Sequence, residues 1–421
     1  MSVERATRAQ PGWHRHPHYP VMRLIASLLL ATIGGVGMYI VVVVLPEVQL
    51  QFGTARTGAS LPFTWTMLGF GIGGIAMGPL VDRFRIVRPL LLGAAFLSAG
   101  LFIAASSDSI VVFGLASFLI GVGCSANFAP LVADISLWFH RRRGMAVALV
   151  ASGNYLSGAV WPPIIQMIVE DHGWRSAYLF CAVFCLAAIF ALSALLRPVP
   201  PVLAEIEEPT AAQAKAARIT ADADRPLGMH PNALQALLCL AGVACCVAMS
   251  MPQVHIVALC ADLGYGSARG AQMLSVMLAC GIVSRLFFGW ISDYIGGAAT
   301  LLASATLQAV ALALFLPNQS LDVLFVVSAL FGLFQGGIVP AYAMIVRQYF
   351  RPDQAATRVG LAIGATLLGM ALGGWASGAI FDLTSSYDAA FVHGIAWNLI
   401  TIAVAAMLVI LHRRRYGTVA A

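Results

Sequence analysis

The chain has 421 residues, 60% of them hydrophobic and only 10% charged, with a mean hydropathy of +0.87. Soluble domains carry about 25% charged residues, so composition excludes an ordinary water-soluble enzyme or binding module. The formal net charge of +6 must be explained by where the charges lie before it can suggest a nucleic-acid partner. Apolar runs long enough to cross a hydrocarbon core of ~30 Å recur along the whole length. In chain order they cover 22–45, 58–81, 89–105, 110–134, 144–169, 176–196, 232–260, 268–291, 298–316, 322–346, 358–380 and 389–411, which predicts an all-α membrane protein of twelve transmembrane helices.

Residues 1–21 are a basic, polar tail. The first apolar run is too long for a signal-peptide core and no small-residue cleavage site follows it, so it reads as an anchored helix. "HRHPH" alternates histidines and could touch a metal, but in so short a tract a solvated tail is the expectation. Residues 22–196 hold six helices and 232–411 another six. Between them, 197–231 is rich in Pro, Ala and charge and reads as a flexible cytoplasmic tether. Residues 412–421 close the chain as a second basic tail.

Of the 24 Lys and Arg, 20 fall in the tails, the linker or alternate loops, among them Arg83, Arg85 and Arg88, Arg141 to Arg143, and Arg413 to Arg415. The opposite loops hold only Arg56, Arg175 and Arg269, and Arg285 is left inside a span. That asymmetry follows the positive-inside rule. It places both termini in the cytoplasm of a multi-pass protein of the cell (inner) membrane, with no nucleic-acid partner. All eight cysteines lie in apolar runs without ligand-like spacing, so neither a disulfide nor a metal is expected. No cofactor is implied.

"GPLVD" (78–82) recurs as "GWISD" (289–293), and "RRRGMAVALVASGNYLSG" (141–158) recurs loosely as "TRVGLAIGATLLGMALGG" (357–374). The two offsets, 211 and 216, nearly agree and suggest two pseudo-symmetric six-helix bundles; many secondary transporters are duplicated in this way and hold substrate between the repeats. "GPLVDRFRIVRP" resembles the signature loop of the major facilitator superfamily. "NFAPLVADISLWFHRRRGMAVALVASG", "MPQVHIVALCADLGYG", "SRLFFGWISD" and "FGLFQGGIVPAYAMIVRQYF" resemble, in that order, its monocarboxylate porter family and bacterial oxalate–formate exchanger-like relatives. The resemblance implies alternating access between two bundles. It makes Gly78, Asp82, Arg83, Gly289 and Asp293 a conformational latch, and has the arginine at position 285 bind a substrate carboxylate. Three departures stand out. The aromatic-rich glycine motif of helix 1 is missing, the lysine that some members carry near the end of helix 1 is not evident, with Glu47 in that region, and Gly281 stands where some place an acid four residues before the arginine.

An arginine at a helix centre costs ~2.5–3.5 kcal/mol on insertion scales. Arg285 is predicted six residues from the end of its helix, so its side chain could snorkel to the interface; alternatively a bound anion compensates it. The guanidinium fork matches the two oxygens of a carboxylate and stays charged at any working pH. His255, just after Pro252 in a predicted span, is the candidate to hold a substrate carboxylate or carry a proton, unless a neighbouring carbonyl satisfies it. Asn127, Asn154, Tyr39, Tyr155, Tyr342 and Gln335 could complete a substrate site, with Trp65, Trp161 and Phe128 as apolar walls; each could equally be a packing or helix–helix contact. Glu47 and Asp134 sit too near helix ends to be favoured as proton carriers, and His393 reads as structural.

The expected function is secondary active transport of small organic monocarboxylates, by proton symport or by exchange for another anion, in a protein acting as a monomer in the lipid bilayer. Export of neutral or amphiphilic compounds is the alternative. An enzyme would need paired acids, a histidine cluster or a serine–base pair at helical spacing, and none is found.

Overall fold

The structure is a computed structural model and describes residues 18–135, 137–139, 143–198, 226–316 and 320–416. The histidine tract before His18 and linker positions 199–225 lie outside the described residues. Where no water reaches, backbone groups must bond within their own segment, and the chain accordingly runs as a series of helices. They are α1 (Tyr19–Val43), α2 (Arg56–Phe84), α3 (Val87–Ala105), α4 (Ile110–Ile135), α5 (Gly153–His172), α6 (Trp174–Ser193), α7 (Pro231–Asp262), α8 (Ser267–Ile295), α9 (Gly297–Phe315), α10 (Leu321–Tyr349), α11 (Pro352–Thr384) and α12 (Asp388–Tyr416). Successive helices alternate in direction. One end of the bundle therefore carries Tyr19 and Tyr416 and is called the terminal face here; the other is the far face. Gly173 and Gly296, both at φ 81°, each end one helix and begin the next in a single step that few other residues allow.

Among the described residues eleven helices are long and apolar enough to cross a membrane. The run expected at 144–169 is the one that falls short. It is divided at Ser152 into Arg143–Ala151 and α5, and α5 carries Pro162, Pro163 and the polar end Glu170, Asp171 and His172. α8 extends to Ile295, so Arg285 lies ten residues from its end, about 15 Å along the axis, deeper than the sequence suggested.

Packing repeats across the duplication: α2 lies on α4 as α8 lies on α10, and α3 on α6 as α9 on α12. Glycine makes these approaches close. A Cβ on Gly69 or Gly121 would strike the backbone of Phe118 or Thr66 between α2 and α4, and one on Gly332 would strike Met277 between α10 and α8. The glycine series of α11 serves two neighbours. Gly369 and Gly373 lie against Val243 and Val247 of α7, whereas Gly374 and Gly378 face Phe63 and Ser60 of α2.

The two halves meet along α2–α11 and α5–α8. From the far face inward, α2 and α11 touch at Ser60–Gly378 and Phe63–Gly374, with Thr64 Oγ1 donating to the Ala371 carbonyl at 3.0 Å. Nearer the terminal face the Cβ positions of Gly74, Gly78, Gly360 and Gly364 meet nothing within 4 Å. On the other side Gly158 faces Leu278 and Gly281 faces Tyr155, while Gly289 meets nothing. Both seams are shut toward the far face and parted toward the terminal face.

Arg23, counted from sequence with the basic tail, belongs to α1 and is fully buried. Its Nε and Nη2 donate side-on to the two oxygens of Asp134 at 2.8 Å each, and Nη1 donates to Tyr19 and to the carbonyls of Leu196 and Pro198. The Trp138 ring lies 4.5 Å below the guanidinium. One charge thus joins the start of α1 to the ends of α4 and α6. Removing one partner of a buried pair strands the other and costs about 3–5 kcal/mol, while an apolar replacement of both can be nearly neutral. Asp134→Ala or Arg23→Ala should therefore lower thermal stability sharply in detergent, and Arg23→Met/Asp134→Leu should recover most of the loss.

Candidate functional site

The break at Ser152 leaves the Ala151 carbonyl at the end of a helical segment, and Arg285 Nη1 donates to it at 2.8 Å from the other half of the molecule. The guanidinium carbon lies 4.2 Å from the centre of the Tyr155 ring, a cation–π contact. Arg285 therefore does not snorkel to the surface; it lies across the α5–α8 seam where the closed and parted regions meet. No carboxylate pairs with it among the described residues, whose ion pairs are Arg23–Asp134, Arg56–Asp262 and Arg175–Asp108. Its Nε is buried and has no hydrogen-bond partner.

The aromatic neighbour explains one departure in the sequence. A Cβ on Gly281 would come within 3.0 Å of the Tyr155 ring, so the place beside Arg285 where an acid could stand is taken by that ring. Tyr39 reaches the same region from α1, its hydroxyl donating to the Asn154 carbonyl at 3.1 Å and its ring lying against Gly158. The Asn154 Oδ1 is buried and unpartnered. Gln335 enters through α10, where Gly336 N donates to Ser284 Oγ at 3.0 Å and packs on the Arg285 backbone. Its Oε1 accepts from Gln253 Nε2 at 2.8 Å, while its own Nε2 is buried without an acceptor. Gln253 was not singled out in the sequence; an amide directly after Pro252 was the available signal.

Other expected site residues lie elsewhere. Asn127 is wedged between α1 and α4, its Nδ2 donating back to the Gly123 carbonyl at 3.2 Å and its side chain filling the space over Gly34. Tyr342 is fully buried and donates to Cys245 Sγ at 3.3 Å. Trp161 Nε1 donates to the Thr32 carbonyl at 2.9 Å, Trp65 stacks edge-on against Phe118, and Phe128 packs against Phe70. His393 Nε2 accepts from Trp397 Nε1 at 2.9 Å. Of the expected latch, Gly78 and Gly289 stand in open space, Arg83 lies 5.3 Å from the Phe84 ring, and Asp293 is exposed. The Asp82 side chain lies outside what is described.

His255 joins a different cluster. It is fully buried, with Nδ1 3.0 Å from the Tyr387 hydroxyl and Nε2 2.8 Å from the Gly374 carbonyl. Both ring nitrogens are engaged by protein, and through Tyr387 the imidazole connects to Arg56 at the far face. Glu47, on the short helix Leu45–Phe52 at the same face, is half-buried. Burial, reinforced by the neighbouring Glu170, holds its carboxyl above the usual carboxylate range, and its Oε2 has no hydrogen-bond partner.

Comparison with known proteins agrees with this architecture. The family model for the Major Facilitator Superfamily matches residues 27–284 and 236–420. Monocarboxylate transporter 13 of Rattus norvegicus is 29% identical over 72% of this chain and 69% of its own length. Monocarboxylate transporter 4 of Gallus gallus is 25% identical over 75% and 67%. A bacterial homologue of the human lysosomal transporter Spinster, solved in an inward-facing and unoccupied conformation, superposes with a TM-score of 0.70 at 14% identity, covering 96% of this chain and 99% of that one.

Proposed function

Because the chain belongs to the major facilitator superfamily and is therefore a transporter, we propose that its cargo is a small organic monocarboxylate. One observation carries this reading. Arg23 closes the Nε/Nη2 edge of its guanidinium on Asp134, whereas Arg285 spends Nη1 on Ala151 and leaves Nε buried without a partner. A side-on carboxylate supplies the missing acceptor in charge-assisted, paired hydrogen bonds. Gln335 Nε2 is a further donor without an acceptor in the adjoining segment, and the Tyr155 ring fixes the guanidinium plane. The resemblance to monocarboxylate transporters supports the same cargo class.

Arg285 belongs to the C-terminal half, and Ala151 and Tyr155 to the N-terminal half, so an anion held at the arginine sits on the seam that must rearrange between the two access states. In a cell membrane with both termini in the cytoplasm, the parted seam faces inward. Moving a monoanion inward against ~100 mV costs ~2.3 kcal/mol. Transport then needs either a proton travelling with the cargo or a second anion travelling back. His255, with both nitrogens bonded, is poorly placed to carry that proton. Glu47 is the better carrier, since its surroundings favour the protonated form.

Arg285→Ala should abolish flux of labelled lactate-like acids into proteoliposomes, and Arg285→Lys, which keeps charge but not the fork, should weaken apparent affinity by about tenfold. Undiminished transport in Arg285→Ala would rule out the carboxylate clamp.

A group whose proton affinity is raised stays neutral up to a higher pH, so uptake through Glu47 should be strongest on the acidic side and decline as pH rises. Glu47→Gln, locked in the neutral form, should flatten that pH profile and lose accumulation driven by a proton gradient while retaining anion exchange. Unchanged gradient-driven accumulation would place the proton elsewhere.

A further inference from the structure

We infer that Arg56, held by Asp262 and Asp382, is the latch that keeps the far face shut, and that it must release each time the carrier opens there. The inference depends on the two halves moving against each other and not on which cargo travels. Arg56 is the first residue of α2, in the N-terminal half, and is 5% exposed. Among the described residues, every hydrogen-bond acceptor of its side chain and backbone N–H lies in the C-terminal half. Nη2 donates to both oxygens of Asp262 at 2.9 and 3.0 Å, at the end of α7. Nη1 donates to the Tyr387 hydroxyl at 3.1 Å, just before α12. The backbone N–H groups of Arg56 and Thr57 donate to the two carboxylate oxygens of Asp382 at 2.9 and 2.8 Å, and the Thr57 hydroxyl donates to the same group. Asp382 of α11 therefore caps the N-terminus of α2 across the seam, where a negative charge also meets the positive end of the helix dipole. The guanidinium stacks 4.7 Å from the centre of the Phe381 ring.

Behind this pair the hydrogen bonds run in one direction. A guanidinium can only donate, so the Tyr387 oxygen accepts from Arg56 and its single proton is directed to His255 Nδ1. His255 Nδ1 is then bare, and Nε2–H donates to the Gly374 carbonyl. Gly374 belongs to α11 and its Cβ position faces Phe63 of α2. The neutral histidine thus orients the tyrosine that receives the arginine, and it anchors the strip of α11 on which α2 rests. His255 is a positioning residue of the latch.

Beneath it, Ser60 is fully buried, and the Cβ position of Gly378 lies 2.9 Å from its Oγ. A thiol placed there reports opening at the far face, and a thiol in the open space at Gly78 reports opening at the terminal face. The experiment measures the rate of labelling by a charged maleimide in detergent-purified protein carrying Ser60→Cys or Gly78→Cys, corrected for the same protein without that substitution. With Arg56 intact, the first site should be protected and the second should react readily. Arg56→Ala, and separately Asp262→Asn as a milder variant, should speed labelling of the first by about tenfold or more and slow labelling of the second, because the carrier now spends time open at the far face. The exchange Arg56→Asp/Asp262→Arg should restore part of the protection. Unchanged rates at both sites in properly folded Arg56→Ala and Asp262→Asn would overturn the latch. So would faster labelling at the far-face site alone, which signals local fraying.

Discussion

A cation in hydrocarbon must have its charge answered by protein, by water or by cargo, and the location of the answering group decides what each buried arginine can do. Arg23 is answered by Asp134, Tyr19 and the carbonyls of Leu196 and Pro198, all in the N-terminal half or the start of the linker and none across the seam. The groups that answer Arg56 all lie in the opposite half, so their hold on it depends on the far face being shut. Arg285 has no carboxylate partner among the described residues, only a carbonyl and a ring across the seam, and like Arg56 it keeps a buried Nε–H left over. On the proposed readings, one residue type serves as rivet, latch and docking point because its partners come from different parts of the molecule.

The same distinction separates the surfaces that stay together from those that part. Within each half, glycines set backbone against backbone, as at Gly121 on Thr66 and Gly332 on Met277. Such contacts have no good replacement, since neither water nor a lipid tail restores interlocked packing at that distance. Across the far end of the seam Gly374 and Gly378 also lie against α2, but there the joint adds the polar set of Arg56, Asp262 and Asp382, with Asp262 and Asp382 partly open to solvent. Charges at a mouth can trade a protein partner for water, so the net cost of separating them is small compared with the gross strength of each bond. The halves are held internally by contacts that resist exchange, and the polar part of their joint at the far face is made of contacts that tolerate it.

Twelve runs, the duplication and the placing of Arg285 inside a span were legible because hydrophobic length and repeated motifs survive in one dimension. Its depth was not, since the end of α8 lies four residues beyond the end of the apolar run. The run around α5 was harder: its break at Ser152 and its paired prolines are visible, but that the break presents the Ala151 carbonyl to Arg285 depends on where α8 lies. Arg23 and Arg56 looked like loop charges because each is near the start of a helix, and sequence gives distance along the chain rather than depth in the bundle. Their partners Asp134, Asp262 and Asp382 are 111, 206 and 326 residues away. His255 was legible as buried, but its company was not. A histidine after a helical proline fits a cavity wall and a core contact equally well until Tyr387 and Gly374 are seen on its two nitrogens.

The missing acid beside Arg285 bears on coupling. With the Tyr155 ring in that place, an empty site has a fixed positive charge with only a carbonyl and a quadrupole against it. To pass between access states the site must be closed off from water, and closing it over a lone cation carries a desolvation cost of several kcal/mol. Closing it over a guanidinium–carboxylate pair carries much less, because the pair is neutral and its hydrogen bonds are mutual. On the proposed reading the loaded carrier therefore crosses more readily than the empty one. A carrier with that bias exchanges anions by default and performs net transport only when something else eases the empty return. An acid that can hold or release a proton away from the arginine, the role proposed for Glu47, supplies such relief without ever touching the cargo.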